Sequence, residues 1–390
     1  MTEAKPGSSQ ATDQPADLSR PSHPPRLVGL DVVRVLALIA VIAIHCDHWP
    51  YQVSGPAQRL WPTLDLLFRV SVPLFMVLSG FLLTYREQHA LPLSQFLRRR
   101  LGRSLIPWIV WAPAYTLIGV FLTREIPASW AGVGQWWALG AGHLWYLLLI
   151  PQLYILFQIW PASRVGLLLG ALVSLAIQVF LSSYRLLAPA DTALNSFLLG
   201  YGYQVAPLWL GYFGIGLVAG RWRARHPDIW NSWSAIAVFS LAMVAGAVLL
   251  VVANGRNTPN AEFVQGTGAF LLPSLIPVTV AAFVAWGLAG ERLLAGRPGI
   301  THAVLSISRY SLGIYIVHEA LTYVIGPVQY LTIAQESLVV SVLFFLLQVA
   351  VTFALSYAVT RALAATRLAI TVGLPAEPPR WSEWRRPFAI

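Results

Sequence analysis

Residues 29–48 read GLDVVRVLALIAVIAIHCDH, an apolar stretch long enough to cross a bilayer as a helix. Asp31 and Arg34 stand near one end, with His45, Asp47 and His48 at the other. A helix turns about 100° per residue, so the eleven steps from Arg34 to His45 return to within about 20° of the same face, roughly 16 Å further along. Asp31 lies one turn before Arg34, within pairing distance of it. Ionisable groups inside a spanning helix are costly and generally face a bundle interior or a wet cavity. This stretch therefore predicts both a membrane fold and a functional site within it.

The rest of the chain agrees. Of its 390 residues 57% are hydrophobic and 11% charged, with mean hydropathy +0.64, whereas soluble domains are about a quarter charged. The fold class is all-α, a polytopic membrane protein. About ten spans are expected, near 27–47, 64–85, 104–122, 142–160, 164–182, 199–220, 233–253, 267–289, 302–325 and 336–360. Pro161 and Arg164 mark a tight hairpin between the fourth and fifth. Pro273 and Pro277 predict a kink in the eighth, while Pro73 and Ser79-Gly80 give the second places to bend or pack closely. Residues 1–26 are polar and rich in Pro and Ser, without the apolar core of a signal peptide, and are expected to form a disordered cytoplasmic tail. The membrane domain is placed at 27–361 and a second cytoplasmic tail at 362–390.

Charge placement orients the chain. With the N-terminus inside, the inner segments hold 20 of the 26 Lys and Arg residues. The outer loops hold Arg59, Arg124, Arg185 and Arg256, and Arg34 and Arg69 fall within spans. Both termini are thus expected in the cytoplasm, in a multi-pass protein of the cell membrane. The net charge of +10 follows from topology and requires no nucleic acid. A single cysteine, Cys46, excludes an intramolecular disulfide.

This topology puts His45 in the outer half of the first span and Arg34 in the inner half. By depth alone His45, Asp47, His48, Asp65, Arg69 and His143 could converge near one outer mouth. On the inner side FLRRRLGRSLIPW places Arg98, Arg99, Arg100 and Arg103 ahead of the third span. Such a cluster serves as a positive-inside anchor or, alternatively, as a phosphate-binding lip, because guanidinium forks suit phosphate oxygens. No HxxxH or HExxH spacing suggests a metal, and no Gly-rich phosphate loop suggests ATP coupling.

Five pieces occur in order: Arg34 with His45 in one helix, VPLFMVLSGFLL at 72–83, RRRLGRSLIPW at 98–108, HLWYL at 143–147 and SRYSLGIYIVHEAL at 308–321. Together they resemble the acyltransferase 3 family of integral-membrane O-acyltransferases, over about residues 27 to 360. The resemblance implies transfer of an acyl group, commonly acetyl from acetyl-CoA, to a hydroxyl of a sugar, glycan or lipid-linked saccharide. It carries His45 over as the catalytic histidine and Arg34 as its partner arginine. Arg98, Arg99 and Arg103 fall in a basic motif assigned to donor binding. Ser79 and Gly80, with Phe81, match its SGF segment, and His318 its late tyrosine–histidine motif. Many members carry a further soluble esterase-like domain, which this sequence lacks. No catalytic carboxylate aligns uniquely, with Glu125, Asp191, Glu262 and Glu319 all available.

Each residue also has a plainer reading. His45 could be a packing histidine; Arg34 on its stripe argues for a general base that takes the proton of an acceptor hydroxyl. Asp31 could simply hold Arg34 in register. Cys46 points about 100° from its neighbour His45, so adjacency makes no dyad. His143 is either an interfacial hydrogen-bonding group or part of the acceptor site, and His318-Glu319 either a packing pair or a second site. The 16 tryptophans are first of all an aromatic belt. A competing function is a secondary transporter or exporter of a sugar or organic acid, with Asp31, Arg34 and His45 as a proton or ion pathway. Oligomeric state is not legible.

Overall fold

The computed structural model describes residues 25–46, 64–86, 92–122, 124, 126, 129–226, 232–254, 270–329 and 338–375. Among them there is no strand. The helices are α1 (Val28–His45), α2 (Ser71–Tyr85), α3 (Leu93–Leu117), α4 (Trp130–Ala138), α5 (Trp145–Gln158), α6 (Arg164–Leu187), α7 (Ala193–Tyr201), α8 (Leu210–Arg225), α9 (Trp233–Asn254), α10 (Leu275–Leu294), α11 (Pro298–Gln329) and α12 (Leu338–Ala364). Eight described helices are long and apolar enough to cross a membrane, or nine when α4 and Gly142–Gln158, bent by 43°, count as one span. Residues 199–220, expected as one span, are instead the end of α7, two short 3₁₀ turns and the 16-residue α8.

Two prolines act differently according to where they stand in their helices. Pro277 does not kink α10. It sits in the first turn, after the Ser274 cap, where a missing N–H leaves no bond unmade. The second span breaks instead at Arg69–Val70, between a helical turn at 64–68 and α2. Pro73 has no N–H to offer the Arg69 carbonyl four residues back, so the ladder opens there.

α1 is the wall between two apolar clusters. Leu30, Val33, Ala37 and Ile44 pack with α2, α8 and α10. Leu38, Val41 and Ile42 pack with residues of α3, α11 and α12. Small residues set the closest approaches. A Cβ on Gly80 would lie 2.2 Å from the Phe213 carbonyl oxygen, and one on Gly216 would lie 2.1 Å from that of Val77. Without a hydrophobic drive between helices in lipid, such backbone contact is the main source of helix association. The apolar residues left exposed, among them Leu241 and Leu249 on α9 and Leu343 on α12, suit contact with acyl chains.

Two pairs of contacts fix the relative direction of α1 and α11. Arg34 meets Ser308, and eleven residues later His45 meets His318, so the two helices run parallel and almost in register. The start of α1 meets the ends of α2 and α10, through Tyr85 to the Pro25 carbonyl and the Gly29 amide to Glu291, so these helices run antiparallel to it. These directions fit the alternation that the loop charges imply.

Candidate active site

The polar path along α1 begins at Asp31, buried to 4% exposure. Its carboxylate takes hydrogen bonds from Arg26 Nε at 2.9 Å, Arg34 Nη1 at 3.3 Å and the Ser308 hydroxyl at 2.5 Å. Arg34 also donates to the Ser308 oxygen at 2.7 Å. The carboxylate is the centre of a closed network, and Arg34 is fixed in direction by two acceptors.

Arg34 lines a cavity of about 210 Å³. It is also lined by Arg100 and Arg103, by Tyr146 and Tyr315, and by the apolar Val72, Phe75 and Leu78. Arg100 and Arg103 are three residues apart on α3 and so share a face. Arg98 points elsewhere, to a second cavity of about 280 Å³ beside Ile370 and Leu374, which Arg103 also borders. The Arg99 side chain lies outside the described residues. Ser79 lines the main cavity too, as does Tyr146. Gly80 belongs to the packing of α2 against α8 rather than to the cavity.

Beyond Tyr315 three histidines meet. Ring centroids are 4.9 Å apart for His45 and His318, 5.1 Å for His143 and His318, and 6.0 Å for His45 and His143. Glu319 completes the group: its carboxylate contacts Nδ1 of His143 and accepts the Tyr323 hydroxyl at 2.9 Å. The Tyr315 carbonyl faces Nε2 of His143 at 3.1 Å and Nδ1 of His318 at 2.5 Å. Of the four carboxylates left open by the sequence, Glu319 is the one at the histidines, Asp191 lies in the α6–α7 turn, and Glu125 and Glu262 fall outside the described residues.

Local backbone chemistry explains how His143 arrives there. Gly140, Ala141 and Gly142 all have positive φ, at 89°, 59° and 69°, which turns the chain sharply between α4 and α5. A Cβ at Gly140 would fall 2.5 Å from Trp145 Cα, so this position tolerates only glycine. Trp108 Nε1 donates to the Gly140 carbonyl at 3.1 Å, and the Tyr315 hydroxyl donates to the carbonyl of His143. On α11 the Tyr115 hydroxyl inserts into the helix ladder, donating to Ile316 O at 2.6 Å and accepting from the Ala320 amide at 3.0 Å. His318 and Glu319 lie within the loop so opened.

Asp65 and Arg69 form a buried pair of their own at 2.9 Å, with Arg69 over the ring of Phe270 at 4.9 Å. Asp47 and His48 lie outside the described residues. Cys46 is buried, with Sγ 3.9 Å from the Thr352 hydroxyl. Among the described residues no three His, Cys, Asp or Glu side chains are arranged to hold one metal ion.

Composition and family motifs singled out none of Ser308, Tyr315, Tyr146 and Tyr115, and named Arg100 only as one of four arginines of a phosphate-binding lip. A signal for two of them was present. Ser308, Leu312, Tyr315 and Glu319 fall on one helical stripe, spaced by four, three and four residues, as a face lining a cavity should be.

Bundle, cavity and polar cluster define a multi-pass membrane protein with a chemically equipped interior. An acyltransferase domain model, that of the acyltransferase 3 family, matches residues 27–361, and the chain belongs to that family. It is therefore an acyltransferase of the integral-membrane kind. A segment of 58 residues is also 41% identical to a serine/alanine racemase of Enterococcus gallinarum; the match covers 14% of this chain and 7% of that protein. No solved structure matches the chain.

Proposed function

We propose that this protein moves an acetyl or other short acyl group from cytoplasmic acyl-CoA to a hydroxyl of a sugar, glycan or lipid-linked saccharide at the cell membrane. The observation that carries this reading is that one cavity is lined by Arg100, Arg103, Arg34 and Tyr315, whose backbone carbonyl meets the histidine cluster. A CoA donor needs cations for its phosphates and an apolar corridor for its pantetheine arm, in that order. Arg100 and Arg103 supply the first, and Val72, Phe75 and Leu78 line the second.

At the far end His45 is the general base. It takes the proton of the acceptor hydroxyl as that oxygen attacks the thioester carbonyl. The C–O bond forms, the C–S bond breaks, and the CoA thiolate leaves with the electron pair. Arg34, held by Asp31 and Ser308, meets the donor on its way in and carries a positive charge beside a thioester or phosphate oxygen. His143 and Glu319 support the base through the cluster.

The test is acyl transfer by membranes carrying the wild-type protein, His45→Ala or Arg34→Ala, each checked for insertion. Product acylation unaffected by both substitutions would end this reading. Mass spectrometry of envelope glycans from cells with and without the gene would show the lost acyl mass and identify the acceptor.

A further inference from the structure

Three imidazoles within one contact shell invite the question of where each proton sits. A carbonyl oxygen only accepts hydrogen bonds, so the 2.5 Å contact from His318 Nδ1 to Tyr315 O places a proton on Nδ1. The neutral ring then carries its lone pair on Nε2. That atom is wholly buried, in a residue of 0% exposure, and has no hydrogen-bond partner among the described residues. A buried acceptor left unmade costs about 1–3 kcal/mol, and native interiors keep few of them. Two rings face His318 edge-on, His45 at 4.9 Å and His143 at 5.1 Å between centroids. Two five-membered rings joined by one N–H···N bond of about 3 Å stand at about this separation.

The neighbours narrow the assignment further. His143 has an oxygen at each ring nitrogen, Glu319 at Nδ1 and Tyr315 O at Nε2, so both of its nitrogens are already engaged. Glu319 is occupied by His143 and Tyr323. Among the described groups near His45, His143 Nδ1 is in contact with Glu319, whereas His318 Nε2 is buried with no such contact.

We infer that His318 is a positioning residue for the acyl-transfer reaction: its Nε2 accepts the N–H of His45 and thereby selects the tautomer of His45. The inference rests on the reading of His45 as base. A histidine base must show its lone pair to the substrate, and which nitrogen does so is set by the bond the other one makes. The usual orienting partner is a carboxylate; here a second imidazole, itself fixed by a main-chain carbonyl, takes that place. When His45 accepts the proton of the acceptor hydroxyl, the resulting imidazolium donates its second N–H to His318 Nε2. The charge is then spread over two rings until the departing CoA thiolate or solvent takes one proton back. No proton is gained or lost overall.

Two measurements test this. The first follows release of CoA thiol from acetyl-CoA, with water as the acceptor, by the full chain in bilayer nanodiscs. His318→Gln keeps an amide acceptor but no basic nitrogen, and kcat should fall by about 10- to 100-fold with KM for acetyl-CoA unchanged. Added imidazole should recover part of the activity in His318→Ala. If His45→Ala is inactive while His318→Gln keeps the wild-type kcat, His318 has no such role and the acyl-transfer reading stands. If His45→Ala releases CoA as fast as the wild type, both readings fall. The second measurement needs no variant. ¹⁵N NMR of histidine-labelled wild-type protein should show His318 protonated at Nδ1 and bare at Nε2. The opposite tautomer would overturn the inference even if the substituted proteins failed to fold.

Discussion

Arg34 Nη1 donates to the Ser308 hydroxyl at 2.7 Å, and Ser308 in turn donates to Asp31, the residue that also holds Arg34. Two helices distant in sequence are thereby locked in register at one end of the cavity, eleven residues from where they meet again at the histidines. Ser308→Ala removes two charge-assisted hydrogen bonds at once. A hydrogen bond to a charged group contributes about 1.5–3 kcal/mol, so the substitution should lower the thermal midpoint of the detergent-solubilised protein and slow acyl transfer. Ser308→Thr, which keeps the hydroxyl, should retain most of both. Equal loss in the two variants would show that side-chain volume at 308, and not the bond, matters.

Arg100 and Arg98 are two residues apart and expected to be unequal. Two residues are about 200° of helix rotation, which is why Arg100 faces the main cavity and Arg98 the one beside Ile370. Arg100→Gln should raise KM for acetyl-CoA about tenfold or more, the equivalent of one lost charge-assisted bond. Arg98→Gln should change it by less than about threefold, as expected of a surface charge. Initial rates over a range of acetyl-CoA concentrations decide the matter, and the reverse ranking would place the donor in the other cavity.

How much of this was readable beforehand differs by link of the chain. The membrane class and the Arg34–His45 stripe follow from hydropathy and a 100° rotation, both local quantities. The second span's break and α10's straight start were harder, because a proline kinks a helix only when it has a full turn of helix before it. Pro277 does not, and that depends on where the helix begins. The histidine cluster is a tertiary fact: nothing local pairs residue 45 with 143 and 318. Depth placed His45 and His143 together, but Asp65 and Arg69 have the same depth and pair with each other. Arg100 was legible from the helical period, since it shares a face with Arg103 where Arg98 does not.

Tyr115 presents a different kind of prediction, because its hydroxyl stands within the backbone ladder of α11. It takes the Ala320 amide and gives its own proton to Ile316 O. Tyr115→Phe leaves these two groups either unpaired, at about 1–3 kcal/mol for each buried one, or free to close an ordinary turn. Closing the turn would rotate His318 and Glu319 relative to His45 and His143. Activity should therefore fall although the phenol touches no reacting atom, and stability should change little if the turn closes. Hydrogen exchange at the Ala320 amide, measured alongside kcat, separates the two outcomes: slow exchange with low kcat marks a closed turn, fast exchange an open one. Wild-type kcat in Tyr115→Phe would show that the inserted hydroxyl does not set the cluster's geometry.

The sharp turn at Gly140 predicts a contrast with Gly296. Both have left-handed φ, 89° and 76°, so an alanine at either position meets the same intrinsic backbone penalty of about 1–2 kcal/mol. Their surroundings differ. A Cβ at Gly296 meets nothing within 4 Å, whereas one at Gly140 would press on Trp145 Cα at 2.5 Å, a backbone atom that cannot swing aside. Gly296→Ala should lower the thermal midpoint modestly and leave kcat as it was. Gly140→Ala must shift the α4–α5 turn, and with it His143, two residues from the tight Ala141 bend and in contact with Glu319. The expected result is loss of acyl transfer out of proportion to the loss of stability. Midpoints and kcat measured on the two variants in the same detergent test it directly. If Gly140→Ala matched Gly296→Ala in both quantities, the turn would be yielding enough that it does not hold His143 in place.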